Sequence, residues 1–162
     1  MVEAYLEHIG TLLLEENLRT ADENSDVRLL ARARTLVVLD GVSEDRKVRV
    51  LEFLYETKLI QFGPQGEPPV ISLRFADLRG TRLVKRSILS NTDLDRAELM
   101  GANLDGAKLI NAELPRADLS YADLSDAEGV RCQQAQAAKV HKSLRYAQAA
   151  GRFACSTAHS SA

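Results

Sequence analysis

Two rhythms of apolar and polar positions divide this chain. Over the first sixty or so residues the apolar positions recur at helical spacing. Tyr5, Ile9, Leu12 and Leu13 share one face of a helix predicted over residues 2–18, while Glu3, Glu7, Glu15 and Glu16 fall mostly elsewhere. Ser25 is placed to cap a second helix that runs through Leu39 and is ended by Gly41. Ser43, followed by Glu44 and Asp45, starts a third, reaching about Leu59 with Val48, Leu51, Leu54 and Tyr55 inward. The Gly- and Pro-containing stretch after Gln61 reads as a connector. This predicts a three-helix N-terminal domain over residues 1–62 and a linker over 63–70.

From Thr92 the rhythm changes to fives: TDLDR, AELMG, ANLDG, AKLIN, AELPR, ADLSY, ADLSD. Leu94, Leu99, Leu104, Leu109, Leu114, Leu119 and Leu124 hold the third place, and Ala97, Ala102, Ala107, Ala112, Ala117 and Ala122 stand two residues before the last six. Upstream, ISLRF, ADLRG and TRLVK carry Leu73, Leu78 and Leu83, with Ala76 in the small position, and SILSN carries Leu89. The two runs differ in phase by one residue. Continuing the first register would bury the charge of Arg86, so the extra residue is expected at Val84–Arg86. A period of five matches neither the 3.6 of a helix nor the 2.0 of a flat strand. It suits a chain that turns a corner every five residues and stacks on itself, Leu over Leu and Ala over Ala. One circuit alone cannot bury its apolar edge, so several must stack.

These residues resemble the pentapeptide-repeat family, whose consensus is A(D/N)LXX; ANLDG, ADLSY and ADLSD match most closely. The resemblance implies a short right-handed quadrilateral parallel β-helix with one pentapeptide per face. The expected fold class is therefore mainly β with α. Eleven repeats make a little under three coils over residues 71–130, a rod of about 14 Å. A Gln- and Ala-rich segment at 131–150 is expected to form a C-terminal capping helix, with residues 151–162 a flexible tail. The N-terminal wording from ENLRTADENSD to LEFLYETKLI is similar to a helical segment that precedes pentapeptide repeats in bacterial, notably cyanobacterial, proteins. In that set the helices often follow a membrane-spanning segment, so membrane association is expected here only through an upstream anchor.

Composition sharpens the picture. Aromatic residues are 5% of the chain and Trp is absent, so the interior is built from Leu and Ala. A formal net charge of −2 gives no general attraction to nucleic acid, and direct nucleic-acid binding is not expected. The start of the chain lacks a signal peptide's basic and apolar regions, and no apolar run is long enough to span a bilayer, which points to the cytoplasm. Cys132 and Cys155 read as reduced thiols. His8, His141 and His159 have no metal-site spacing, and no phosphate-loop or nucleophile motif occurs. No catalytic residue, cofactor or metal is expected.

The second place of each repeat carries carboxylates: Asp77, Asp93, Glu98, Glu113, Asp118 and Asp123. With four repeats per coil, Asp77, Glu98 and Asp118 fall one above another and form a candidate acidic interaction face. Phe75, Met100, Ile110 and Tyr121 occupy outward places and form a thin apolar scatter. The functional expectation is a non-catalytic scaffold or protein-interaction module. Its protein partner is unspecified, and homodimerisation is expected through the apolar N-terminal helices. The alternative rests on resemblance to pentapeptide-repeat proteins that mimic duplex DNA and inhibit or protect type II topoisomerases. Against it, a rod of about 14 Å matches only about four base pairs, and Arg74, Arg79, Arg82, Lys85 and Arg86 make the first coil basic.

Overall fold

The computed structural model describes residues 1–86 and 88–129. Three helices come first: α1 (Val2–Leu14), α2 (Asp26–Gly41) and α3 (Glu44–Glu56). Helix α1 buries Tyr5, Ile9 and Leu12, the i, i+4, i+7 stripe of an amphipathic helix. It ends at Leu14 rather than at residue 18. The physical reason is Asn17, which adopts a left-handed conformation (φ 51°) and lets the Leu18 N–H return to the Leu12 carbonyl at 3.0 Å. Helix α2 buries Ala31, Thr35, Val38 and Leu39, and the Tyr5 hydroxyl meets Thr35 Oγ1 at 2.7 Å across the α1–α2 interface. Helix α3 buries Val48, Val50, Leu51 and Leu54, together with Lys47. It stops at Glu56, short of Leu59, because Lys58 turns left-handed (φ 54°) and the Leu59 N–H bonds back to Leu54 at 2.9 Å. Leu59 and Ile60 then drop into the core.

The connector is strapped to the repeat region. Ile71 N–H donates to Leu59 O at 2.7 Å, Phe62 N–H donates to Asn91 O at 2.8 Å, and Gln61 pairs antiparallel with Thr92. The expected linker at 63–70 is thus anchored at both ends.

Beyond it the chain passes beside itself repeatedly. Parallel bridges join Asp77 to Glu98, Arg82 to Asn103, Asp93 to Glu113, Glu98 to Asp118, Asn103 to Asp123 and Lys108 to Glu128. Each is an isolated bridge, and among the described residues no continuous strand forms. Backbone hydrogen bonds flank every bridge: Glu98 N–H to Ala76 O at 2.9 Å and Leu78 N–H to Glu98 O at 2.8 Å enclose Asp77. Each circuit divides at residues in the left-handed region, Phe75, Gly80 and Lys85 in the first, then Asn91, Arg96, Gly101, Gly106 and Asn111. Every Leu and Ala of the repeat pattern, from Leu73 and Ala76 to Ala122 and Leu124, is at most 2% exposed. Leu83, Leu89, Leu99, Leu109, Leu114 and Leu119 stack in this interior with Ala97, Ala107, Ala112 and Ala117.

The phase slip of one residue is visible in the ladder. Bridged residues are 21 apart in the first circuit and 20 apart later. Its position differs from the expected Val84–Arg86. Lys85 N–H still bonds Asp105 O and Arg86 O still accepts from Lys108 N–H, both in the first-circuit pattern, so the extra residue lies between Arg86 and Asn91. The premise that the small position must bury Arg86 fails for a simple reason: its guanidinium turns outward to Glu52 of α3. Ile88 and Leu89 are both buried just after it. The expected capping helix at 131–150 and the tail at 151–162 lie outside the described residues.

Candidate functional site

The Asp or Asn at the second place of a repeat has a local task. Its side-chain oxygen accepts the backbone N–H two residues on: Asp77 from Arg79 at 3.0 Å, Asp93 from Asp95 at 3.2 Å and Asn103 from Asp105 at 3.1 Å. Asp118 and Asp123 do the same for Ser120 and Ser125, at 2.9 and 3.0 Å. This is the geometry by which Asx residues organise a tight turn. Asp77, Asp93, Asp118 and Asp123 are therefore corner braces first, and their negative charge is secondary.

Asp77, Glu98 and Asp118 are bridged in sequence and stand one above another. They do not form a uniform open stripe. Glu98 is exposed and Asp118 half-buried, whereas Asp77 is buried beneath α3. There it meets Lys47 Nζ at 3.0 Å and Arg79 Nη2 at 2.8 Å, and Arg79 Nε reaches on to Glu98 at 3.3 Å. The Arg79 guanidinium holds the Asp77 carboxyl well below the usual carboxylate range. Burial opposes this, while the Arg79 backbone N–H and the Lys47 ammonium reinforce it. Two further contacts complete the joint between α3 and the first circuit. Glu52 pairs with Arg86, and the Glu44 carboxylate lies where a Cβ at Gly80 would fall.

A second buried carboxylate, Asp95, sits at the fourth place of its repeat. Arg74 of the circuit before it approaches at 2.7 Å, and Arg116 of the next donates through Nε at 3.1 Å and Nη2 at 2.9 Å. Beside this stack the Arg96 guanidinium lies 5.2 Å from the centre of the Phe75 ring. Sequence reading passed over Asp95 and Lys47. For Asp95 the usable signal is arithmetic, because Arg74 and Arg116 each lie one circuit away. For Lys47 it is a lone cation on the apolar face of α3.

Phe75 and Tyr121 belong to different corners. The first shares its corner with Arg96 and Arg116, the second with Gly80 and Gly101, so the two exposed rings make no common patch. Among the described residues no group of three or more His, Cys, Asp or Glu side chains is arranged to hold a metal ion. No helix among them is long and apolar enough to cross a membrane.

The family model for pentapeptide repeats (8 copies) matches residues 71–114 and, overlapping them, residues 97–128. Residues 71–128, fewer than half of the chain, thus match the pentapeptide-repeat model. No curated protein and no solved structure matches this chain. In the pentapeptide-repeat segment, Leu and Ala supply the interior, Asp or Asn braces the corner, and Gly, Asn or a strained residue turns it. The helices α1 to α3 precede the matched segment, and Lys47 and Glu52 fasten α3 to it.

Proposed function

We propose that this chain is a non-catalytic scaffold for protein–protein interaction. In this reading the pentapeptide repeats wind as a short right-handed quadrilateral parallel β-helix, and the N-terminal helices cap its first circuit. The observation that carries the proposal is the parallel ladder at 20- and 21-residue intervals, joined to α3 by the Lys47–Asp77 pair. Such a ladder presents a rigid array of outward side chains, and the helix cap covers the ladder edge that would otherwise invite pairing. The carboxylates support a structural role, since Asp77, Asp93, Asp118 and Asp123 each brace a turn. The helices keep apolar surface outside: Leu29, Leu30 and Val37 are 52, 43 and 70% exposed. That surface supports helix-mediated association with a partner protein or a second copy.

Affinity capture with the immobilised full chain, run separately on soluble and membrane fractions, tests the reading. A saturable protein partner confirmed with purified components is the expected result. A supercoiling assay with a purified type II topoisomerase runs alongside. Inhibition of supercoiling, with no other partner captured, would replace the scaffold by a DNA-mimicking inhibitor.

A further inference from the structure

A cleft of about 440 Å³ opens between the start of α2, the connector and the first repeat circuit. Its charged lining consists of Arg28, Arg32, Arg74, Glu23 and Asp93. Arg28 and Arg32 lie one helical turn apart on the same face of α2. Among the described residues each is anchored by one bond: Arg28 Nη2 to Arg19 O at 2.9 Å, and Arg32 Nη2 to Arg74 O at 3.0 Å. Among the described residues neither guanidinium is paired with a carboxylate. Arg28 Nε is buried with no partner among them. The negative side is weaker. Arg74 already holds Asp95, Asp93 already accepts the Ser72 hydroxyl at 2.8 Å, and Glu23 is exposed to solvent.

Apart from Asn24 and Ser72, the remaining wall is apolar. Leu29 and Phe75, both 52% exposed, line the cleft, with Pro69 buried beside them. Two arginines pinned by their backbone contacts are pre-organised to take carboxylates in forked geometry. A free inorganic anion would use the arginines and leave the apolar wall wet. A peptide carrying a carboxylate next to a large apolar side chain uses both. We infer that this cleft binds an acidic–apolar peptide segment of a partner protein, its carboxylates on Arg28 and Arg32 and its apolar side chain against Leu29 and Phe75. This inference rests on the scaffold reading and names the recognition element within it.

Selection of a random peptide library displayed on phage against the full chain tests it. The expected enrichment is for Asp or Glu beside an aromatic or aliphatic residue. Synthetic versions of the enriched peptides should bind about tenfold or more weakly to an Arg28→Glu/Arg32→Glu variant, as loss of charge-assisted bonds requires. Phe75→Asn is the second variant. Its backbone φ of 64° suits Asn, so the corner should form while the apolar wall is lost and binding falls several-fold. Enrichment of peptides without acidic residues, or binding by both variants as tight as that of the parent, would overturn the assignment. So would saturable binding of inorganic phosphate alone that the double variant abolishes, because the site would then serve a small anion. A lysate partner held equally by the parent and the double variant removes the cleft but leaves the scaffold. A partner captured by neither removes both.

Discussion

Lys47 of α3 and Asp77 of the pentapeptide-repeat segment form a buried ion pair 3.0 Å long, and through it the helices hold the first circuit. The two partners are not equivalent. Asp77 retains Arg79 if Lys47 is lost, whereas Lys47 has no second carboxylate among the described residues.

Asp77→Asn should therefore cost about 3 kcal/mol, because it leaves a buried ammonium without its counter-charge. Lys47→Met should cost less, about 1 kcal/mol, and the double variant Lys47→Met/Asp77→Leu should recover much of the loss of Asp77→Asn. Urea denaturation midpoints of the three variants check the order. Equal losses for both single substitutions would show that the pair is not the element joining α3 to the repeats.

Asp77 also sets a pH dependence, chiefly through the Arg79 guanidinium and to a smaller extent through Lys47. The Asp77 carboxyl sits below its ordinary value, so its stabilising contribution is fully present above the unfolded carboxylate value of about 4. It is lost as pH falls through the depressed folded value. Thermal midpoints should decline on acidification below about pH 4, and Asp77→Asn should flatten that decline. A profile unchanged by the substitution would assign the acid sensitivity to other carboxylates.

At the alkaline end Tyr5 contributes. Burial pushes its phenol well above the ordinary tyrosine range, and the hydrogen bond with Thr35 only partly offsets this. A raised acid stabilises the fold below its unfolded value of about 10 and loses that contribution as pH rises towards the folded value. Phenolate absorbance should show one tyrosine titrating late or only on unfolding. Tyr5→Phe should remove that component and cost about 1 kcal/mol by loss of the bond to Thr35, which keeps its own bond to the Ala31 carbonyl at 2.8 Å.

Gly101 isolates the strain of a corner. It sits at φ 68°, and nothing lies within 4 Å of where a Cβ would be. Gly101→Ala should thus cost about 1–2 kcal/mol from backbone strain alone. Gly129→Ala should cost more, because its Cβ would lie 2.6 Å from the Ile110 backbone. Chemical denaturation of both variants checks the ranking.

Much of the local architecture was legible. The apolar stripes of α1 and α3 and the period-five Leu and Ala positions follow from spacing; Ser25 and Ser43 stand at the expected N-cap positions, but neither hydroxyl makes a capping bond. The helix ends were less legible, because Asn17 and Lys58 stop α1 and α3 through single left-handed residues that a periodicity cannot register. The candidate acidic face was legible only as an alignment. Spacing put Asp77, Glu98 and Asp118 in one column, but burial of Asp77 depends on where α3 docks, which no repeat pattern encodes.

The sequence by itself determined which Leu and Ala residues turn inward and, apart from the slip between Arg86 and Asn91, where the corners fall. Those depend on side-chain size, on the Asx bond to the backbone two residues on, and on tolerance of positive φ, all local properties. Only the tertiary structure decided how charge is distributed. Lys47 is thirty residues from Asp77, Arg86 turns out to Glu52, and Asp95 is shared between Arg74 and Arg116. Ion pairs depend on distances of a few ångströms between segments far apart in the chain, and those distances exist only once the helices have packed on the first circuit.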